Sequence, residues 1–308
     1  MTLVIGTDEA GYGPNLGPLV IGATAWRVAA EPAAVEAVLA ATAQTAAELT
    51  GAEVLWGDSK RIYRAGAGLA DLERGVLVAA ALAGAGEPAG WSDFAATLRA
   101  DGGGPLAGVT MPRHHHDPAC RKLAALVREP LVAAGVTLVA VRCRIVEPAE
   151  FNALLDQGLN KSDILSQATL GLAAAVAGDA AATEPLVIWC DRHGGRRRYA
   201  PLVSRGFGVP LVQPLVETPE RSSYRFGADN LIEFAVGGEA RLPVAVASMT
   251  AKYVRELAML AFNELWQRRQ PGLAATAGYP VDARRWRNEA AATVAAAGIP
   301  WDEVWRRA

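Results

Sequence analysis

Cysteine is scarce in this chain and badly placed for cross-linking. Cys120, Cys143 and Cys190 are scattered, odd in number and without a Cys-x-x-Cys pair. That excludes a disulfide framework and a cysteine zinc site, and reduced thiols in a cytosolic protein are expected. Long apolar runs are missing too, because the alanine-rich stretches carry charges, so no membrane span is expected. The opening Met-Thr-Leu-Val-Ile-Gly has no basic leader and too short an apolar run for a signal peptide. A cytoplasmic monomer is the expectation. Large net charge is also lacking: at −2 the molecule has no global field to attract nucleic acid. Local clusters still act within a screening range of roughly 8 Å at physiological salt. Arg192 with Arg196, Arg197 and Arg198 forms one such cluster, and Arg284, Arg285 and Arg287 another. Either is equally readable as a solvated face.

Aromatics make up 6% of the residues, while 51% are apolar and alanine dominates. That composition suits a sizeable core built with many small helix positions. At 308 residues the chain is long for one ordinary domain and short for two large ones.

Leu3–Thr7 and Leu19–Val28 read as buried strands, joined through a Gly- and Pro-dense turn at 11–18. Helices are expected over 32–49, 69–82, 148–155 and 167–177, with a short one near Trp91 in a Gly-rich connection. Val136–Val146 is a strong strand, and Leu186–Cys190 a short apolar one closed by Asp191. Strands follow at 211–216 and 231–236; Gly237-Gly238 then turns into a segment at 244–247. Apolar positions Ala251, Val254, Leu257, Leu260, Ala261 and Leu265 mark a helix from Ser248 to Arg268, and a helical piece follows the Pro271-Gly272 break. Strands and helices mix without strict alternation, which indicates an α/β fold with a mixed sheet.

The run His114-His115-His116 invites a metal reading. Consecutive residues share no face of a helix or strand, whereas a chelating helical pair sits at i, i+4, so a solvated loop cluster is expected. Four carboxylates are better placed. Asp8 and Glu9 end the first strand, Asp191 ends another, and Glu256 lies on the long helix one turn after Lys252. Carboxylates are the ligands Mg²⁺ and Mn²⁺ prefer. Two such ions about 4 Å apart are a standard device for in-line attack on a phosphodiester. Neighbours on a strand point to opposite faces. Asp8 and Glu9 therefore share a site only if the chain bends at Ala10-Gly11 or Glu9 reaches round from the strand end.

Gly6-Thr7-Asp8-Glu9-Ala10-Gly11-Tyr12-Gly13-Pro14, continuing to Gly17-Pro18-Leu19-Val20, resembles the opening motif of the ribonuclease HII family, DEAGRGP followed by a GPV-type strand. Asp58-Ser59-Lys60 is similar to the family's DSK, and Leu165–Leu170 to its LQATL helix. Val187–Asp191 takes the place of the strand with the third carboxylate. Ala247–Glu256 resembles ASILAKVTRD, and Pro271-Gly272 with Gly278-Tyr279-Pro280 follow in the order of PGYG and KGYP. Six matches in one order, from residue 6 to residue 280, are far more specific than any one alone.

The resemblance implies a ribonuclease H-like mixed sheet flanked by helices, with a catalytic domain over 1–268 and a helical extension over 269–308. Extra length falls at about 65–135 and 196–243. It implies Asp8, Glu9, Asp191 and Glu256 as ligands of a two-metal site holding Mg²⁺ or Mn²⁺. The substrate would be an RNA–DNA hybrid or a duplex with embedded ribonucleotides. The backbone of Gly11, Tyr12 and Gly13 would approach the 2′-hydroxyl, which distinguishes RNA from DNA. Lys60 would contact phosphate, Tyr279 would pack on deoxyribose, and Arg196 and Arg197 would lie along the groove. Three positions depart from the pattern: Tyr12 stands for an arginine, Glu256 for an aspartate, and Arg192 for a glycine. They imply an intact metal site beside an altered substrate groove.

Other readings stay open. Ile5-Gly6-Thr7-Asp8 with Gly11 and Gly13 is also similar to the first phosphate loop of actin-like kinases and ATPases, with Asp191-x-x-Gly194-Gly195 as a second. A nucleic-acid-binding module with a weak or dead metal site is another, resting on Tyr12 and Glu256. Residue by residue, Glu256 could simply pair with Lys252. Tyr279 could be a packed aromatic. His193 reads either as a general acid or, more simply, as a surface residue of the Arg-rich loop.

Overall fold

The computed structural model describes residues 1–51, 55–63, 68–86, 88–114, 117–179 and 184–307, without the side chains of 60, 61, 117, 118 and 179. His115, His116 and the Lys60 side chain lie outside the described residues. The chain opens with the strands β1 (Thr2–Ala10) and β2 (Leu19–Val28). The helices α1 (Val35–Thr50), α2 (Ser59–Ile62), α3 (Ala70–Leu82), α4 (Trp91–Leu98) and α5 (Asp117–Ala133) precede β3 (Val136–Val146). Then come α6 (Pro148–Asp156), α7 (Lys161–Asp179), β4 (Leu186–Asp191) and α8 (Ala200–Phe207). A meander of β5 (Val212–Glu217), β6 (Arg221–Phe226) and β7 (Asn230–Ala235) leads to α9 (Leu242–Arg269) and α10 (Pro280–Ala296).

The seven strands form one sheet in the order β3-β2-β1-β4-β7-β6-β5. β2 runs antiparallel to both its neighbours, β1 and β3, and β4 runs parallel to both β1 and β7. This mixed sheet flanked by helices, with a helical C-terminal part, is the ribonuclease H-like architecture that the resemblance implies. Alternation along β1 sends Val4 into the core under α9 and the helices of the 35–133 region, and Leu3 and Ile5 into the core under α7 and α8.

Two glycines let α9 lie directly on the sheet. A Cβ at Gly6 would collide with the Pro243 backbone, and one at Gly22 with the Ala247 carbonyl. The first ten residues of α9, Leu242–Ala251, are buried throughout. That corrects the separate segment expected at 244–247. Val-Ala-Val-Ala mimics strand alternation, but Pro243 starts a helix and every side has something to pack against. Similarly α7 begins at Lys161, six residues before the expected start. The sequence reading also passed over α5, α8 and β6, the last a polar strand, Arg-Ser-Ser-Tyr-Arg-Phe.

The C-terminal part has its own small core of Trp266, Leu273, Trp286 and Val294, which receives Leu16 from the turn after β1. No helix among the described residues is long and apolar enough to cross a membrane.

Candidate active site

The parallel register of β1 with β4 pairs Thr7 with Cys190, so Asp8 and Asp191 follow at the same sheet end on neighbouring strands. Asp8 faces α9, and α9 presents Ser248, Lys252 and Glu256 at four-residue spacing on one face. These residues line a cavity of about 220 Å³ with Glu9, Ala10, Gly11, Ser59, Glu239, Arg255 and Tyr279. A larger cleft of about 460 Å³ lies beside α9, with Phe262, Leu265, Trp266 and Ile299 in its walls. Its lining is mainly apolar, and the carboxylates gather in the smaller cavity.

Asp8 is 6% exposed. Burial, and then the charge of Asp191, push its carboxyl up to about 7; hydrogen bonds from Ser248 and the Glu9 N–H (2.8 Å) act the other way. Glu9 is likewise raised well above the usual carboxylate range, by burial first and then by Asp8 and Asp191. The strand stays regular through Glu9, which pairs with Ile21, so the site is shared without a bend in β1. Asp191 Oδ1 accepts the Gly238 N–H at 3.0 Å. Glu256 Oε2 accepts the Tyr63 hydroxyl at 3.1 Å, and its Oε1 lies 3.7 Å from Arg255. Burial and the Glu256 charge raise Tyr63 to about 12.

Hard oxygen donors, crowded like charges and carboxyls that resist ionisation fit a site for divalent cations. Among the described residues, no three of these groups close to metal-ligand spacing. Asp8, Asp191 and Glu256 each have an oxygen engaged by a hydrogen bond instead.

Gly11 and Tyr279 border the cavity, and Gly13 faces the Tyr279 ring across the loop mouth. Gly11 has φ +86°, and a Cβ there would meet Pro18 O at 2.5 Å and Arg255 Nε at 2.6 Å, so only glycine fits. Tyr279 is 56% exposed, with the Arg255 guanidinium 5.8 Å from its ring centre. Tyr12 turns away toward α7, with Lys161 Nζ 4.7 Å from its ring centre. Its phenol is raised by burial and then by Glu9. Lys60 belongs to α2, whose Ser59 shares a 3.1 Å hydrogen bond with Ser248.

Arg196 and Arg197 lie outside the cavity lining. Arg196 is tied to Asp163 and, at 3.1 Å, to Ser162 on α7, whereas Arg197 is exposed. Arg285 is held by Asp282 and Glu289, and Arg287 stacks on Trp301 and Trp305.

His193 is not a surface residue. It is 1% exposed, with Nδ1 2.9 Å from the Ser166 hydroxyl and its ring edge-on to Tyr199 and Phe234. Burial, then the charge of Arg196, lower it to about 3, so it is neutral at physiological pH and carries no imidazolium proton for general-acid work. The Lys252–Glu256 pairing is replaced by other partners, Tyr63 and Arg255 for Glu256; Lys252 Nζ sits 4.8 Å from the Tyr63 ring centre.

The sequence reading missed Glu239, Ser248, Arg255 and Tyr63. Ser248 was detectable as two helical turns before Glu256. Glu239 was visible only as an acidic residue after Gly237-Gly238. The turn packs so closely on the end of β4 that a Cβ at Gly238 would lie 3.2 Å from the Asp191 Cα.

No family model matches the sequence, and no curated protein does. Among solved structures the chain is similar to ribonuclease H2 from Pyrococcus horikoshii OT3, at 15% identity and TM-score 0.48 over 98% of this chain and 92% of that one. It is also similar to the RNase HII of the PCNA:RNase HII complex from Archaeoglobus fulgidus, at 15% identity and TM-score 0.43 over 99% and 94%. Bst-RNase HIII in complex with Mn²⁺ matches at 16% identity and TM-score 0.44 over 99% of this chain and 66% of that one. At these values the likenesses add no weight to what strand order and side chains supply.

Proposed function

We propose that the chain is a divalent-metal endonuclease that hydrolyses the phosphodiester bond of RNA in RNA–DNA hybrids or at ribonucleotides embedded in DNA. Asp8, Glu9, Asp191 and Glu256 hold Mg²⁺ or Mn²⁺. The supporting observation is the convergence of these four on one cavity from β1, β4 and α9. Bound ions supply positive charge to the reacting phosphate and activate water, as two-metal sites do.

The chain's own residues do the rest. Gly11 borders the cavity and the Gly11–Gly13 backbone approaches the ribose, while Tyr279 offers an exposed ring for a sugar beside it. Lys252 lines the cavity with a cation near the scissile phosphate. Lys60 contacts phosphate from α2, and Arg197, with Arg196 held behind it on α7, faces the strand beyond. The protein works as a monomer in the cytoplasm, where its three buried cysteines stay reduced.

The test is cleavage in Mg²⁺ or Mn²⁺ of four substrates: a duplex with one ribonucleotide, a long hybrid, and branched and linear all-DNA. Cutting confined to the ribonucleotide-containing substrates is the expected result. Equal cutting of all-DNA would leave a general nuclease of the same fold. Binding without cutting would leave a recognition module.

A further inference from the structure

The C-terminal tail returns to the glycine loop. Arg306 N–H donates to Asn15 O at 2.8 Å, and Asn15 Nδ2 donates to Arg306 O at 3.0 Å. Leu16 and Trp305 form an antiparallel bridge. The Arg306 side chain passes beneath the loop, where Nη2 donates to Gly11 O at 2.6 Å and also to Pro14 O. It is 1% exposed, rests 5.0 Å from the Phe151 ring centre, and does not line the cavity that Gly11 borders.

A peptide unit is planar and trans, so its C=O and the following N–H point in opposite directions. The Pro14–Asn15 peptide shows the consequence. Arg306 takes the Pro14 carbonyl from below, and the Asn15 N–H on the far side donates to Gly278 O at 2.8 Å. The same guanidinium takes the Gly11 carbonyl, so the N–H of the Gly11–Tyr12 peptide points away from Arg306; Gly11 itself borders the cavity, which Arg306 does not line.

Among the described residues, no acidic group balances the charge of Arg306. Arg255 and Lys161 are its charged neighbours there, and Nε and Nη1 have no hydrogen-bond partner among the described residues. A neutral donor would pin two carbonyls with less desolvation. A cation under the loop adds positive potential where a polyanionic strand would lie.

Resting on the nuclease reading above, we propose that Arg306 is a positioning residue for substrate: it fixes the Gly11–Pro14 peptide planes so that the Tyr12 N–H faces an oxygen of the bound nucleic-acid strand. The contact is with a non-reacting part of the strand, formed in ground and transition states alike, so its loss falls on KM.

The experiment compares wild type, Arg306→Met and Arg306→Lys on a duplex with one ribonucleotide, alongside amide hydrogen exchange of residues 11–16. Arg306→Met is expected to raise KM about ten- to a hundredfold with kcat within about threefold, and to speed exchange in the loop. Arg306→Lys, which keeps the charge and one donor direction, should recover part of the KM. An unchanged KM with unchanged exchange, or a loss confined to kcat, would overturn the proposal. Should Arg306→Met fail to fold, Arg306→Lys and Asn15→Ala decide by the same KM and exchange readings. If the wild type cuts nothing, the nuclease reading fails separately. Loop exchange and anisotropy of duplex binding then judge Arg306 alone: faster exchange with weaker binding supports it, and no change in either refutes it.

Discussion

Asp8 carries the sharpest consequence of the site. In the folded chain it ionises near pH 7, against 3.8 for an exposed aspartate, so the folded state binds this proton more tightly than the unfolded state. Stability from this group is full below about 3.8 and is lost as pH rises through about 7; Glu9 shifts in the same direction. Metal-free protein should therefore melt at lower temperature as pH rises across that window, and Mn²⁺ should reverse the loss at the upper end. A melting temperature flat in pH, measured in a chelator, would refute the crowded-carboxylate account. Asp8→Asn removes the charge and keeps the shape, so at pH 8 without metal it should be more stable than wild type by on the order of 1 kcal/mol. It should also show no Mn²⁺-induced rise, as calorimetry with and without the ion would reveal. Glu239 adds to the like charge on both Asp8 and Glu9. Glu239→Gln should thus flatten the pH dependence of stability in part, and an unaltered slope would place its carboxylate elsewhere.

At the level of elements, the site depends on how closely α9 approaches β1 and β2. Gly22→Ala puts a methyl group into the Ala247 carbonyl, an overpacking that should cost about 3 kcal/mol in denaturant unfolding. Less than about 1 kcal/mol would mean that the helix shifts freely, against the tight seat described. Much of this arrangement was legible beforehand. The apolar run ending in Asp191 and the Asp8-Glu9 pair closing β1 announced two buried strand ends, and a parallel register makes them neighbours. Glu256 was placed by the helical period. The start of α9 was not legible, since Val244–Ala247 is buried on all sides and has no amphipathic signal. Burial of His193 escaped because an Arg-rich context reads as surface, while Tyr199 and Phe234, which enclose its ring, come from other elements.

Over the whole molecule, charge near zero means that the proposed nucleic-acid binding would depend on local patches. Two of the arginines singled out beforehand, Arg196 and Arg285, are spent on ion pairs, while Arg197 and Arg198 remain exposed and Arg198 lies only 3.8 Å from Glu217. Neutralising Arg197 and Arg198 should make the salt dependence of duplex binding shallower, by roughly one unit per lost phosphate contact, with little effect on melting. Arg196→Ala should act chiefly on stability, because it unties the loop from α7. A salt slope that stays the same in the double variant would move the binding track elsewhere. The central claim is metal-dependent hydrolysis at the Asp8–Asp191 end of the sheet. It is tested most directly by single-turnover cleavage of a duplex with one ribonucleotide, run for wild type and Asp191→Asn in Mn²⁺ and in chelator. The account predicts a nick at the ribonucleotide only for wild type with Mn²⁺; cleavage by Asp191→Asn at the wild-type rate, or none by either protein, would contradict it.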